Sequence, residues 1–333
     1  MSLVSFGDLA QSNLLRRHTT HAKTDIARLS QELSTGRSSD TARHVAGDLG
    51  PLLAIDSSLA QLSGYKAITR EAGLFADALQ TGLDVISGLA LDVGNGMIAA
   101  SGASGTTHVS TAAATAYSAL QATMTTLNTR FGDRTLFAGV ASNGPAISDT
   151  ETLMSTLELV TAAATTVQDV ETAIDAWFDA PTGYQAVSYR GGDPHSPVPV
   201  AAGQTVQLDV TANDPAIRET LKGLSMAALL DRNAFSGQTQ LRLEVAQRSG
   251  EHLIASESSR AYLAARVGSA QGQIDAAQTR NQSEAVGLEI ARVSIVEVDP
   301  HETATRLQNA ETQLQLIYTL TARISRLSLA DYL

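Results

Sequence analysis

Cysteine is absent from this chain, which excludes disulfides, thiolate metal sites and thiol nucleophiles together. Aromatic residues are scarce: they make up 4% of the 333 positions, although 43% are hydrophobic. A core of Ala, Leu, Val and Ile with few rings suits close helix packing better than a deep ligand pocket. A basic excess is missing too. The chain carries 34 acidic and 23 basic residues, a net charge of −11, which argues against a nucleic-acid face. It contains no unbroken run of about 18 apolar residues, so no membrane insertion is expected. Residues 1–10 include Asp8 and lack the basic-then-apolar order of a cleaved signal peptide.

Proline is rare outside one segment. Six of the eight, Pro145, Pro181, Pro194, Pro197, Pro199 and Pro215, fall in the middle of the chain, leaving Pro51 and Pro300 near the ends. Long helices are therefore permitted over 52–131 and about 236–298, and disfavoured between them. Apolar spacing agrees. Leu79, Leu83, Ile86, Ala90, Val93 and Met97 alternate by four and three, and Tyr117, Leu120, Met124, Leu127 and Phe131 resume that rhythm. Leu263, Val267, Ala270, Ile274, Ala277, Asn281, Leu288, Ala291 and Ile295 follow it with one gap. On that seam Asn281 reads either as a register-fixing polar residue or as a tolerated surface one. Gly268 and Gly272 predict close approach of another helix.

The middle differs in kind. Residues 150–176 look helical, whereas 186–189 and 205–210 alternate like strands. Residues 141–235 hold twelve acidic and four basic side chains, while 1–50 hold five and six. An acidic, solvated insert and a nearly neutral, buried base explain the asymmetry.

The ends carry the strongest signal. Leu307, Ala310, Leu314, Ile317, Ile324 and Leu327 form one helical stripe, completed by Leu320 and Thr321. Asp299 is placed to cap the first turn, Pro300 suits the first helical position, and Glu302 is placed to return the capping bond. At the front, Leu15, Ala22, Ile26, Leu29 and Leu33 are heptad-compatible, and Gly36 stands where a helix end wants a left-handed residue. Two amphipathic terminal helices are thus expected to pair with each other and with neighbours.

Catalytic motifs are not evident. Gly94-Asn95-Gly96 lacks the rest of a dinucleotide fingerprint, and no Walker A lysine motif occurs. Gly102-Ala103-Ser104-Gly105 lacks the glycine two residues before the serine of a nucleophile elbow and reads as a loop. His18 and His21 lie one turn apart, with Asp25 the one nearby carboxylate, and read as exposed polar residues rather than metal ligands. Arg190 and Asp193 sit in a turn that offers a minor adhesion reading.

Three passages resemble the flagellin family. Leu33-Ser34-Thr35-Gly36-Arg37, followed by Ser39-Asp40, is similar to the family's signature after the first helix. The usual paired aspartates beyond it are missing; only Asp40 and Asp48 remain. Ile324-Ser325-Arg326-Leu327-Ser328-Leu329-Ala330-Asp331-Tyr332-Leu333 resembles the family's C-terminus. Arg130-Phe131-Gly132-Asp133-Arg134-Thr135-Leu136-Phe137-Ala138-Gly139 is similar to members that join hook to filament, where filament members usually read differently.

The expected fold is mainly α: a long antiparallel helical rod with paired terminal helices and a smaller mixed α/β outer insert. Its expected divisions are a terminal-helix domain (1–45 and 296–333), a helical rod domain (46–140 and 236–295) and an outer insert (141–235). The candidate assembly residues are Leu15, Ile26, Leu29, Leu33, Leu307, Leu314, Ile317, Leu320, Ile324 and Leu327; no cofactor, metal or catalytic residue is expected. The resemblance implies a structural adaptor exported without a cleaved signal. Its implied partners are copies of itself in a ring, a second hook-associated protein on the hook side, flagellin on the filament side, directly or through the other junction protein, and a flagellar export chaperone. A filament flagellin and an adhesion or glycan-binding module carried on a helical rod are the alternatives.

Overall fold

The computed structural model of the protein describes residues 6–102, 106–232 and 234–330. In chain order the elements are α1 (Phe6–Thr35), α2 (Thr41–His44), α3 (Gly50–Gly102), α4 (Thr106–Leu127), β1 (Arg130–Phe131), β2 (Arg134–Thr135), α5 (Thr150–Thr161), α6 (Val167–Asp179), α7 (Tyr184–Val187), β3 (Val198–Ala201), β4 (Gln204–Val206), α8 (Pro215–Leu229), α9 (Thr239–Ala255), α10 (Glu257–Val296) and α11 (Pro300–Ala330). The fold is mainly α, with two short antiparallel hairpins, β1–β2 and β3–β4, among the described residues. The chain divides into two compact units, Met1–Ser63 with Ser283–Leu333, and Gly64–Gln282.

In the first unit the two terminal helices meet through their turns. α1 ends at Gly36, which adopts the left-handed φ of +68° and donates to Glu32 O at 2.8 Å. A side chain there would lean on the following carbonyl, which is why glycine suits the position. Beyond it, Ser38 N donates to Val296 O at 2.9 Å and Val298 N to Gly36 O at 3.1 Å, around an antiparallel bridge between Arg37 and Glu297. α11 then starts at Pro300, and Asp299 Oδ1 accepts from the N–H groups of His301 (2.8 Å) and Glu302 (3.2 Å). The end of α1 therefore lies beside the start of α11, and the two helices pack antiparallel. Glu302 does not show the returning bond of a capping box; its carboxylate accepts from Arg306. Asp40 and Asp48, which stand in place of the paired aspartates, each take a turn-forming bond: Asp40 from Arg43 N (3.1 Å) and Asp48 from Gly50 N (3.1 Å).

In the second unit the heptad positions form the core. Leu79, Leu83, Ile86, Ala90, Val93 and Met97 of α3, Leu120, Met124 and Leu127 of α4, and Leu263, Val267, Ala270, Ile274 and Ala277 of α10 are all buried. By length and composition alone α3 is apolar enough to cross a membrane. Its apolar stripe is instead buried here, while Asp77, Asp84 and Asp92 are exposed. α8 is buried almost all round, packed by α4, α5, α6 and α9, as a helix at the centre of a bundle must be.

Three local expectations change. Residues 150–176 form two helices rather than one, because Thr166 starts α6 with a capping box to Asp169. Residues 186–189 do not form a strand. The buried Tyr184 ring stacks on Phe178 at 5.1 Å, and its hydroxyl donates to Ala212 O at 2.7 Å, so the chain turns as α7. Within the chain no helix stands against Gly268 or Gly272: a Cβ on Gly272 would meet nothing within 4 Å, and one on Gly268 only Gln271. The close approach occurs between α3 and α9, where a Cβ on Gly250 would fall 2.8 Å from Gly94 O.

Candidate assembly surface

The seam between α1 and α11 is built from the apolar positions of both helices. Ala22 and Leu29 of α1 and Thr303 of α11 are buried. Leu15 and Ile26 on one helix, and Leu307, Ala310, Leu314, Ile317 and Ile324 on the other, are half-buried. The structure thus brings Leu15, Ile26, Leu29, Leu307, Leu314, Ile317 and Ile324 to the helices' shared side. Leu33 shares the α1 side of Ala22, Ile26 and Leu29 but is more open, 38% exposed, and Leu320 lies off the seam, 51% exposed. The side chain of Leu327 and residues 331–333 of the C-terminal motif lie outside the described residues, as do residues 103–105 of the elbow-like loop and residues 1–5.

Half-burial follows from geometry. Two helices touch along one line each, so an apolar stripe wider than that line stays partly wet unless a third helix covers it. The same unit also exposes apolar side chains off the seam: Leu14, Leu53, Val286, Ile290, Leu316 and Tyr318 are each about half exposed or more. Scattered exposed leucines are ordinary. Here, however, 286/290 and 316/320 recur one helical turn apart, the spacing of a contact face.

A charge cluster stiffens the turn that joins the helices. Glu32 is only 5% exposed; it accepts from Arg28 Nη1 at 3.1 and 3.2 Å and from Ser39 N at 3.0 Å. Burial works against the Arg28 charge, but hydrogen bonds and attraction from Asp25 and Glu32 outweigh it and raise the guanidinium above its usual value. Asp299 is held below the usual carboxylate range by the N–H groups of Glu302 and His301. Sequence reasoning passed over Glu32; its one signal was the four-residue spacing from Arg28, which on a helix also describes many exposed pairs.

In the second unit, Lys222 is buried among Asp175 (3.0 Å), Glu219 (3.1 Å) and Asp179 (3.5 Å). Glu219 also meets His252 Nε2 at 3.1 Å. These groups clasp α6, α8 and α9 to one another. The passage 130–139 is a packed turn. Arg130 pairs with Thr135 and Phe131 with Arg134 across β1–β2, and residues 135–139 are buried. Gly139 has φ +57°, and a Cβ there would fall 2.3 Å from Asp193 O. Asn281, on the α10 seam, is buried and donates from Nδ2 to Val200 O at 2.8 Å, fastening the β3–β4 hairpin to α10. His18, His21 and Arg190 are exposed, and among the described residues no three His, Asp or Glu side chains converge as a metal site.

Comparison with known proteins agrees with this geometry. Residues 258–333 match the bacterial flagellin C-terminal helical region, which covers the whole of α11 and nearly all of α10. No curated protein sequence matches the chain. The fold is similar to that of a protein assigned as a flagellar hook-associated protein from Vibrio parahaemolyticus, with a TM-score of 0.50 and 11% identity, over 73% of this chain and 95% of that one. At that identity the likeness is one of fold. The chain therefore carries a flagellin-type C-terminal helical region.

Proposed function

We propose that this chain is a non-enzymatic structural subunit of the bacterial flagellum that joins hook to filament, the role of hook-associated protein 3. The observation that carries the reading is the half-buried α1–α11 seam, whose α11 side lies within the flagellin-matched region. A terminal helix pair with uncovered apolar surface gains its missing burial from neighbouring copies. Each side chain that becomes buried contributes roughly 1.5–3 kcal/mol. The 130–139 passage favours a junction member over a filament flagellin, and the fold likeness to a protein assigned as hook-associated points the same way.

In this reading residues 1–45 and 296–333 assemble, 46–140 and 236–295 form the helical domain outside them, and 141–235 form the outer insert. The partners are copies of the chain in a ring, a second hook-associated protein below, flagellin above, and a chaperone during export to the cell exterior. Antibody labelling of intact flagella, viewed by electron microscopy, tests the placement. A single band at the distal end of the hook is the expected result. Label along the filament would make the chain a flagellin, and an unlabelled flagellum would end the flagellar reading.

A further inference from the structure

A cavity of about 400 Å³ opens on the second unit, walled by α3, the β1–β2 hairpin and the chain around residues 195–198. From α3 come Ile68, Glu71, Ala72 and Phe75, which at i, i+3, i+4 and i+7 share one side of the helix. Phe131 and Arg134, opposite each other in the hairpin, form a second wall. Phe75 meets both Phe131 and the His195 ring edge-on, each with centroids 6.0 Å apart. Aromatic residues are scarce in this chain, yet two of its six phenylalanines stand half-buried around open space.

Protein interiors leave few voids larger than a water molecule, and side chains that line one lose contacts on that side. The size is that of a small-molecule site, about 300–1,000 Å³. A cavity of roughly 150 Å³ already holds benzene, so a single ring reaching in from a neighbouring protein would leave most of this one unfilled. Two fused rings match it better.

The polar groups set the charge of the ligand. Arg134 lies 3.5 Å from Glu71, both more than half exposed, so the two charges at the rim cancel. Burial, with help from Arg134, holds His195 below its usual value. Its imidazole is therefore uncharged at neutral pH, with one nitrogen to donate a hydrogen bond and one to accept.

We infer that this cavity binds an uncharged bicyclic aromatic compound bearing a hydroxyl group, with the rings against Phe75 and Phe131 and the hydroxyl on His195. The site lies wholly within the second unit and does not depend on the flagellar role.

Fluorescence titration of the full-length protein at neutral pH with 2-naphthol and with naphthalene tests both halves of the inference. 2-Naphthol is expected to bind at one site per chain, about fivefold tighter than naphthalene because of the hydrogen bond to His195. Ala72→Leu adds three carbons into the cavity and suits a helix; it should weaken both ligands by about tenfold or more. Ser196→Trp, at an exposed position of the lining, should do the same from outside α3. His195→Phe keeps a ring and removes the polar atoms, so the preference for 2-naphthol should vanish while naphthalene binds as before. No one-site binding to the parent overturns the site. So does binding left unchanged by Ala72→Leu and Ser196→Trp in protein whose α8 keeps its hydrogen-exchange protection. A preference for 2-naphthol that persists in His195→Phe overturns the polar contact.

Discussion

Val298 donates its backbone N–H to the carbonyl of Gly36 at 3.1 Å, so the exit of α1 and the entry of α11 are one piece of structure. Neither terminal helix is positioned without the other. Gly36→Val forces a β-branched residue into φ +68° at a cost of roughly 1–2 kcal/mol. No neighbouring atom lies within 4 Å of the new Cβ, so the cost is conformational. Hydrogen exchange should quicken at Ser38 and Val298 and stay unchanged across α8. Unaltered protection at Ser38 would count against the coupling.

Gly139→Ala tests whether the 130–139 passage is a structural turn. The added methyl carbon would overlap Asp193 O at 2.3 Å and Gly192 O at 2.8 Å, at a φ of +57°. A loss of at least about 2 kcal/mol is expected in urea unfolding. A stability equal to the parent would mean the turn relaxes freely.

Asn281→Ala should loosen the β3–β4 hairpin. It leaves the carbonyl of the buried Val200 without the amide that donates to it at 2.8 Å, a cost of about 1–3 kcal/mol. Faster exchange confined to residues 198–206, with a lower urea midpoint, is the expected pair of results.

The Glu219–His252 contact makes the second unit sensitive to pH. The hydrogen bond from His252, with help from Lys222, holds Glu219 at about 2, below its usual 4.5. The same contact raises His252 above 6.5, against the effect of burial, and Asp175 adds to the rise. With its folded value raised, His252 contributes stability that is complete below pH 6.5 and lost as pH climbs through that folded value. With its folded value lowered, Glu219 contributes above pH 4.5 and loses the contribution as pH falls toward 2. Both act together between these limits. The melting-temperature difference between the parent and His252→Gln should therefore be largest from pH 4.5 to 6.5 and shrink on either side. A difference constant with pH would contradict the assignment.

Much of this was legible in the sequence, and for a common reason. The spacing of Leu79 through Met97, the Asp299-Pro300 start and the Gly36 stop are local signals, and each depends on at most a few neighbouring residues. What escaped depends on residues far apart in the chain. Tyr184 turns residues 184–187 into helix because it reaches Ala212. Asn281 is buried because a hairpin some eighty positions earlier lies on it. Gly268 and Gly272 matched a close-packing pattern, yet the pattern does not say whether a helix stands opposite; for Gly94 and Gly250 one does. On the terminal helices, spacing found the seam residues but placed Leu320 on one stripe with Leu314, Ile317 and Ile324. Its angular offset from Ile317 is enough to leave it half exposed.

The central claim, that the terminal helix pair carries assembly, is tested most directly by the Leu314→Asp, Ile317→Asp double variant. Both side chains are half-buried on α11, and charge there opposes burial in any larger bundle. The measurement is the amount of variant in isolated flagella relative to the amount exported, with hydrogen exchange across α8 to show that the second unit is folded. The account expects normal export, normal α8 protection and loss of the variant from flagella. Incorporation at the parental level, with filaments built normally upon it, would contradict it.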